Sequence, residues 1–189
     1  MGTDVLAKEA DIEVIRRYLA TKDARHFTVL YRRYAGKVYG KCLALLKEEH
    51  QARDATQDIF LKIFLNLAQF AEQAKFSTWV YSITYNYCID LIRKKKKLTD
   101  IFSDSMERLP DTEEEVHDEE LLTMEANRLR TVLDNIPIGD KAILLMKYQD
   151  DLQIKEIAAV LGKTESAVKM KIKRAKHKAQ LVYKDLFPE

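Results

Sequence analysis

Apolar residues recur at helical spacing along most of the chain, and the place where that spacing lapses divides it in two. From about Asp11 to Lys97 the pattern is helical and rich in aromatics. Between Leu98 and Glu120 no sustained period is present, and from Leu121 to about Phe187 the helical spacing returns. In the first part, Asp54 to Phe64 predicts an amphipathic helix. Ile59, Ile63 and Leu67, with Phe60 and Phe64, point inward, while Gln57, Asp58, Lys62 and Asn66 form an outer face that reads as solvated. A second helix is predicted from about Phe76 to Lys94. Phe76, Val80, Ile83, Tyr87 and Leu91 fill its apolar arc; Ser82, Asn86, Asp90 and Arg93 line the other side, with Trp79 among them.

The last part predicts shorter helices. Leu122, Leu129, Val132 and Leu133 mark one, and Ala142, Leu145 and Met146 another, with Pro137 and Gly139 as the breaks. A helix from about Gln153 to Leu161 then buries Ile154, Ile157, Ala158 and Leu161. Gly162 suits the left-handed turn that follows, and Thr164 is placed to cap the next helix. In that helix Val168, Ile172, Ala175, Ala179 and Val182 form the inward seam. Ser166, Met170, Lys173 and His177 face outward, flanked by Lys169 and Arg174. Turn glycine, cap and seam together predict a helix-turn-helix. The expected fold is therefore all-α: two small helical domains, 11–97 and 121–187, joined by a flexible linker at 98–120, with the helix-turn-helix in the second.

Charge sharpens this picture because it is segregated. The net charge is only +2, but Lys163 to Lys178 carries seven Lys or Arg against one Glu, and Arg93 to Lys97 is wholly basic. The stretch 98–120 holds ten acids and a single Arg. A basic, amphipathic second helix is charged to lie against a polyanion, and phosphate neutralisation supplies most of the affinity of a DNA-binding module. The acidic connector would be repelled by DNA; a plain solubilising spacer is the other reading. Fully extended, its residues reach about 75–80 Å, enough for two domains to touch sites two helical turns apart, roughly 70 Å.

Other chemistry finds little support. Five Gly and three Pro in 189 residues speak against an all-β fold. The histidines at 26, 50, 117 and 177 lack metal-ligand spacing, and no glycine-rich phosphate loop or nucleophile motif is present. No metal, cofactor or catalysis is expected. Cys42 and Cys88 are expected to be reduced, half-buried thiols. With no signal peptide and no apolar run near the roughly 20 residues of a membrane span, a soluble cytoplasmic chain is expected. Trp79 leaves two readings open. An indole on a polar stripe near a basic run suits stacking on unpaired bases, and it equally suits an anchor half-buried under the preceding loop.

Three stretches, in this order and spacing, carry a resemblance: Asp54-x-x-Gln57-Asp58-Ile59-Phe60; Phe76-x-x-Trp79-x-x-x-Ile83-x-x-Asn86-x-x-Ile89-Asp90-x-x-Arg93; and the terminal helix-turn-helix. Over about residues 24–185 the chain resembles a bacterial RNA polymerase sigma factor of the small, extracytoplasmic-function (ECF) type. The resemblance implies a first domain that recruits core RNA polymerase and opens the minus-ten promoter element, and a second that binds the minus-thirty-five element. It implies polymerase contacts at Asp54, Gln57, Asp58, Phe60 and Leu61. Minus-ten contacts would come from Phe70, Lys75, Trp79, Ser82, Asn86, Arg93 and Lys94. Minus-thirty-five contacts would come from Thr164, Ser166, Lys169, Met170, Lys173 and Arg174. It further implies an acidic linker threaded toward the polymerase cleft, promoter DNA as duplex and single strand, and an anti-sigma partner. Ser82 and Ile83 stand where housekeeping sigma factors carry a duplex-opening tryptophan pair. Gln153 stands where Ser or Thr usually caps the first helix of the motif, a difference of about 1 kcal/mol. A stand-alone helix-turn-helix regulator, binding a palindromic duplex without polymerase, is the alternative.

Overall fold

A computed structural model describes residues 9–72, 74–99 and 125–188. Eight α-helices and no strand are present among the described residues. The chain separates into two compact units, one ending at Lys94 and the other beginning at Lys95. Apart from Leu98 and Thr99, the acidic stretch 98–120 lies outside the described residues, as does Leu122. No helix among the described residues is long and apolar enough to cross a membrane.

The N-terminal unit comprises α1 (Asp11–Thr21), α2 (Ala24–Leu46), α3 (Glu49–Asn66) and α4 (Phe76–Thr99) as far as Lys94, with a 3-10 turn at Leu67–Gln69 after α3. Lysines, in left-handed conformation, end the first two helices: Lys22 at φ 55° and Lys47 at φ 65°. Each N–H reaches back to a carbonyl in the last turn, Tyr18 and Leu43 respectively. Asp23 caps α2 by accepting from the Arg25 N–H at 2.9 Å. Tyr34 of α2 is buried and bonds Asp11 of α1, and Arg33 pairs with the same carboxylate at 2.6 Å. Together they fix α1 on α2.

The inward face of α4 is rotated from the predicted arc. Phe76, Val80, Thr84 and Cys88 form one buried row and Tyr81, Tyr85 and Ile89 another. Ile83, Tyr87 and Leu91, expected in the core, are only half-buried. Thr84 is fully buried because its hydroxyl is satisfied by the Val80 carbonyl at 2.9 Å. Thr84, polar by type, interrupts the buried row in the sequence, so the apolar period follows Ile83, Tyr87 and Leu91 instead. Cys42 and Cys88 are more buried than expected, free thiols whose sulfurs lie 3.7 Å apart.

The C-terminal unit comprises α5 (Ala126–Asn135), α6 (Ile138–Leu144) running into a π-helical turn (Leu145–Gln149), α7 (Ile154–Leu161) and α8 (Glu165–Leu186). Pro137 precedes α6 and ends the gap, but Gly139 lies inside α6 rather than breaking a helix. There α8 comes close: a β-carbon at Gly139 would stand 3.2 Å from the Lys171 ammonium. On α7, Ile157, Ala158 and Val160 are buried, whereas Ile154 and Leu161 are half-buried. Its N-terminus is closed without Ser or Thr, because the Glu156 carboxylate accepts from the Gln153 N–H at 2.8 Å. Gly162 adopts φ 60° and turns the chain into α8.

Candidate nucleic-acid and polymerase interfaces

On α8 the seam falls where the spacing places it: Val168, Ile172, Ala175 and Ala179 are buried and Val182 half-buried. Thr164 accepts from the Ala167 N–H at 3.2 Å, securing the first turn. Ser166, Lys169, Met170 and Arg174 are exposed, while Lys173 and His177 are half-buried at the margin of the strip. The seven cations of this segment are not equivalent. Lys178 turns inward and pairs with Asp140 of α6 at 2.8 Å, and Lys171 and Lys176 are half-buried. The outward set is Lys163, Lys169 and Arg174, with Lys173 at the edge. Cations spaced along one exposed face can neutralise phosphates, and Ser166 and Met170 between them can reach base edges.

On the N-terminal unit, α3, the 3-10 turn and α4 enclose an open groove of about 500 Å³. Lys62, Asn66 and Gln69 form one wall; Trp79, Asn86 and Lys94 are on the other. Of the two readings of Trp79 left open by the sequence, the packing bears out the anchor. It is half-buried, its ring 5.4 Å from Phe70 and 5.7 Å from Phe76, and it also lines the groove. Phe70 is half-buried and Lys75 exposed in the loop leading to α4. Ser82 is half-buried and spends its hydroxyl on the Trp79 carbonyl at 2.8 Å. Asn86, Arg93 and Lys94 are exposed, with Arg93 3.8 Å from Asp90. Aromatic rings in the groove wall, Trp79 and Tyr87, with amide and ammonium groups and the Asp90 carboxylate beside them, offer stacking faces to unpaired bases and cations to their phosphates.

The outer face of α3 departs from expectation at three places. Phe60, placed at the polymerase surface by the resemblance but inward by its spacing, is buried, its ring 4.6 Å from Tyr31 of α2. Phe64, expected in the core, is 43% exposed, although its ring still meets Phe27 at 5.0 Å. Leu65, to which the spacing assigns no role, is 66% exposed beside Leu61 at 58%. Two leucines four apart on the polar side of an amphipathic helix were the available signal. Asp54, Gln57 and Asp58 are exposed as expected; Asp54 pairs with His50 at 3.0 Å. Asp58 accepts a hydrogen bond from Tyr87 of α4. That contact, between residues 29 positions apart, could not be read from spacing.

The family models agree with this division. Sigma-70 region 2 matches residues 30–98, and Sigma-70 region 4 matches residues 126–178. The ECF RNA polymerase sigma factor SigW of Bacillus subtilis is 30% identical over 163 residues, 81% of this chain and 86% of that protein. SigM of the same organism, also an ECF RNA polymerase sigma factor, is 24% identical over 82% of this chain and 93% of its own length. Among solved structures, CnrH in complex with the cytosolic domain of CnrY superposes with a TM-score of 0.66 at 20% identity, covering 94% of this chain and 99% of that one. The sigma factor RpoE of Bartonella quintana, in complex with the anti-sigma factor NepR, gives 0.61 at 15% identity over 84% and 96%. At those identities the likeness is one of fold.

Proposed function

Since the chain belongs to the ECF RNA polymerase sigma factors, and so directs promoter transcription together with RNA polymerase, we propose how its two units divide that work. The family assignment displaces the stand-alone regulator. Asp54, Gln57, Asp58 and Leu61 on the outer face of α3 meet core polymerase, joined by the exposed Leu65 and without the buried Phe60. The groove beside α4 holds the unpaired minus-ten strand: Trp79 stacks on a base, Asn86 reads its edge, Ser82 can add only an acceptor because its hydrogen goes to the Trp79 carbonyl, and Lys75, Arg93 and Lys94 meet phosphates, with Phe70 behind Trp79. The outer strip of α8 enters the major groove of the minus-thirty-five element. There Lys169, Lys173 and Arg174 contact phosphate, Ser166 and Met170 face bases, and the N-terminal turn capped by Thr164 lies nearest the DNA.

The observation that carries this reading is the position of Trp79, packed against both Phe70 and Phe76 in a three-ring cluster yet open to the groove. A ring already held by aromatic neighbours loses little freedom on stacking against a base, so the energy of stacking goes into strand capture. The cost it offsets is unstacking, a few kcal/mol per base. The bond-making chemistry belongs to the polymerase. An anti-sigma partner is part of the proposal, supported by the two solved relatives of this fold: RpoE holds one, and CnrH is bound to a cytosolic domain.

The test is run-off transcription with core polymerase over a library of promoters. Initiation from a subset of templates, dependent on this chain, is the expected result. Failure to associate with core polymerase, or no initiation from any template, sinks the proposal.

A further inference from the structure

Two side chains of α3 converge on one ring of α4. Tyr87 donates its hydroxyl hydrogen to Asp58 Oδ2 at 2.5 Å, and the Lys62 ammonium stands 5.7 Å from the centroid of the same ring. Asp58 and Lys62 are four residues apart, so both leave α3 on one face. Burial and then the bond to Asp58 push the Tyr87 phenol up to about 12, so at neutral pH it is a donor and Asp58 the acceptor. Asp54, one turn earlier, is engaged differently, with His50 on its own helix.

We infer that Tyr87 is a positioning residue for polymerase attachment, its hydroxyl holding the exposed Asp58 carboxylate in one rotamer. An aspartate on a solvated helical face otherwise exchanges among staggered rotamers, and a partner must arrest that exchange on binding. With Oδ2 held by Tyr87, Oδ1 is presented in a fixed direction to an N–H or cationic donor on the partner. The holder is supplied by the helix that lines the strand groove, so α3 and α4 share one polar contact between the two interfaces. A Phe at this position would keep the ring and its contact with Lys62 while losing the hold.

The inference rests on placing Asp58 at the polymerase surface, and the experiment separates the two. Affinity of the full chain for core RNA polymerase is measured by competition for wild type, Tyr87→Phe, Asp58→Ala and the double variant. Releasing one side chain that the partner must then immobilise predicts a roughly three- to tenfold weaker affinity for Tyr87→Phe, with the thermal midpoint lowered only by the loss of one exposed hydrogen bond. Asp58→Ala is expected to weaken binding at least as much, and adding Tyr87→Phe to it to change nothing further. If Asp58→Ala weakens binding and Tyr87→Phe does not, the positioning role is overturned. A Tyr87→Phe loss that persists undiminished on the Asp58→Ala background overturns it too, since the hydroxyl then acts elsewhere. If Asp58→Ala itself has no effect, Asp58 is not at the polymerase surface and both readings fall.

Discussion

Helices α4 and α8 both carry a polar strip proposed to meet DNA, but they connect that strip to the core in opposite ways. On α8 the seam of Val168, Ile172, Ala175 and Ala179 is separate from the outer strip of Ser166, Lys169, Met170 and Arg174. On α4 the two interpenetrate. Trp79 packs on Phe70 and Phe76 while lining the groove, Ser82 is bonded to its own helix, and Tyr87 reaches across to α3. The difference follows from what each surface is proposed to hold. A duplex offers phosphates at regular spacing, which long flexible cations can meet from an exposed face. Unpaired bases offer flat apolar faces, which need rigid aromatic rings, and rings are held rigid only by packing. The proposed contacts and the core are separate on α8 and entangled on α4.

The sharpest way to break this contrast is Trp79→Ala. It should cost the N-terminal unit about 2–3 kcal/mol, as expected for truncating a half-buried indole, and reduce strand opening more than duplex binding. Permanganate reactivity of promoter thymines is the readout; reactivity equal to wild type would remove Trp79 from the groove's work. Next in size is the pair Lys169→Ala and Arg174→Ala. Affinity for the upstream duplex should fall roughly tenfold, and the slope of log affinity against log salt should flatten by about 1.8 if each meets one phosphate. The thermal midpoint of the C-terminal unit should not move. A clear drop in that midpoint would show that the α8 strip is tied to the core after all.

Thr164→Ala tests the cap that starts the strip. It should destabilise the C-terminal unit by about 1 kcal/mol, with Thr164→Ser restoring most of it, as chemical denaturation would show. A loss that Ser does not repair would point to the methyl group rather than the hydroxyl. The smallest effect is expected at Asp23, whose carboxylate is held down to about 2 by the side chain and N–H of Arg25. A carboxylate with a depressed value stabilises the fold fully above its ordinary 3.8 and loses that contribution as pH falls toward about 2. Asp23→Ala should therefore lower the melting midpoint slightly near neutrality, with the gap closing between about pH 4 and pH 2. A gap that stays constant or widens in acid would rule out this linkage.

Much of the C-terminal unit was legible in the sequence because its signals are local. Gly162, Thr164 and the four-residue steps of the seam act within one or two turns, and the structure places each as read. Even there, the cation count overstated the outward charge, because the Lys178–Asp140 pair joins residues 38 apart. The N-terminal unit was legible in its helices but not in their rotation. Thr84 looks polar and is fully buried beside Tyr85, whereas Ile83 and Leu91 look apolar and line the groove. Phe60 and Phe64 lie one turn apart, and tertiary neighbours decide how far each is covered: Tyr31 meets Phe60, while Tyr18 and Phe27 cover Phe64 only in part. The bond from Tyr87 to Asp58 belongs wholly to tertiary structure.

The oily ridge of Leu61, Phe64 and Leu65 has a practical result for anyone overproducing this chain. Bare ridges of this kind adhere to one another, so yield and shelf life should depend on supplying a companion that covers them. Co-expression with such a companion, or a Leu65→Lys change at the ridge's most open point, is expected to keep the preparation clear where the unaccompanied chain turns turbid.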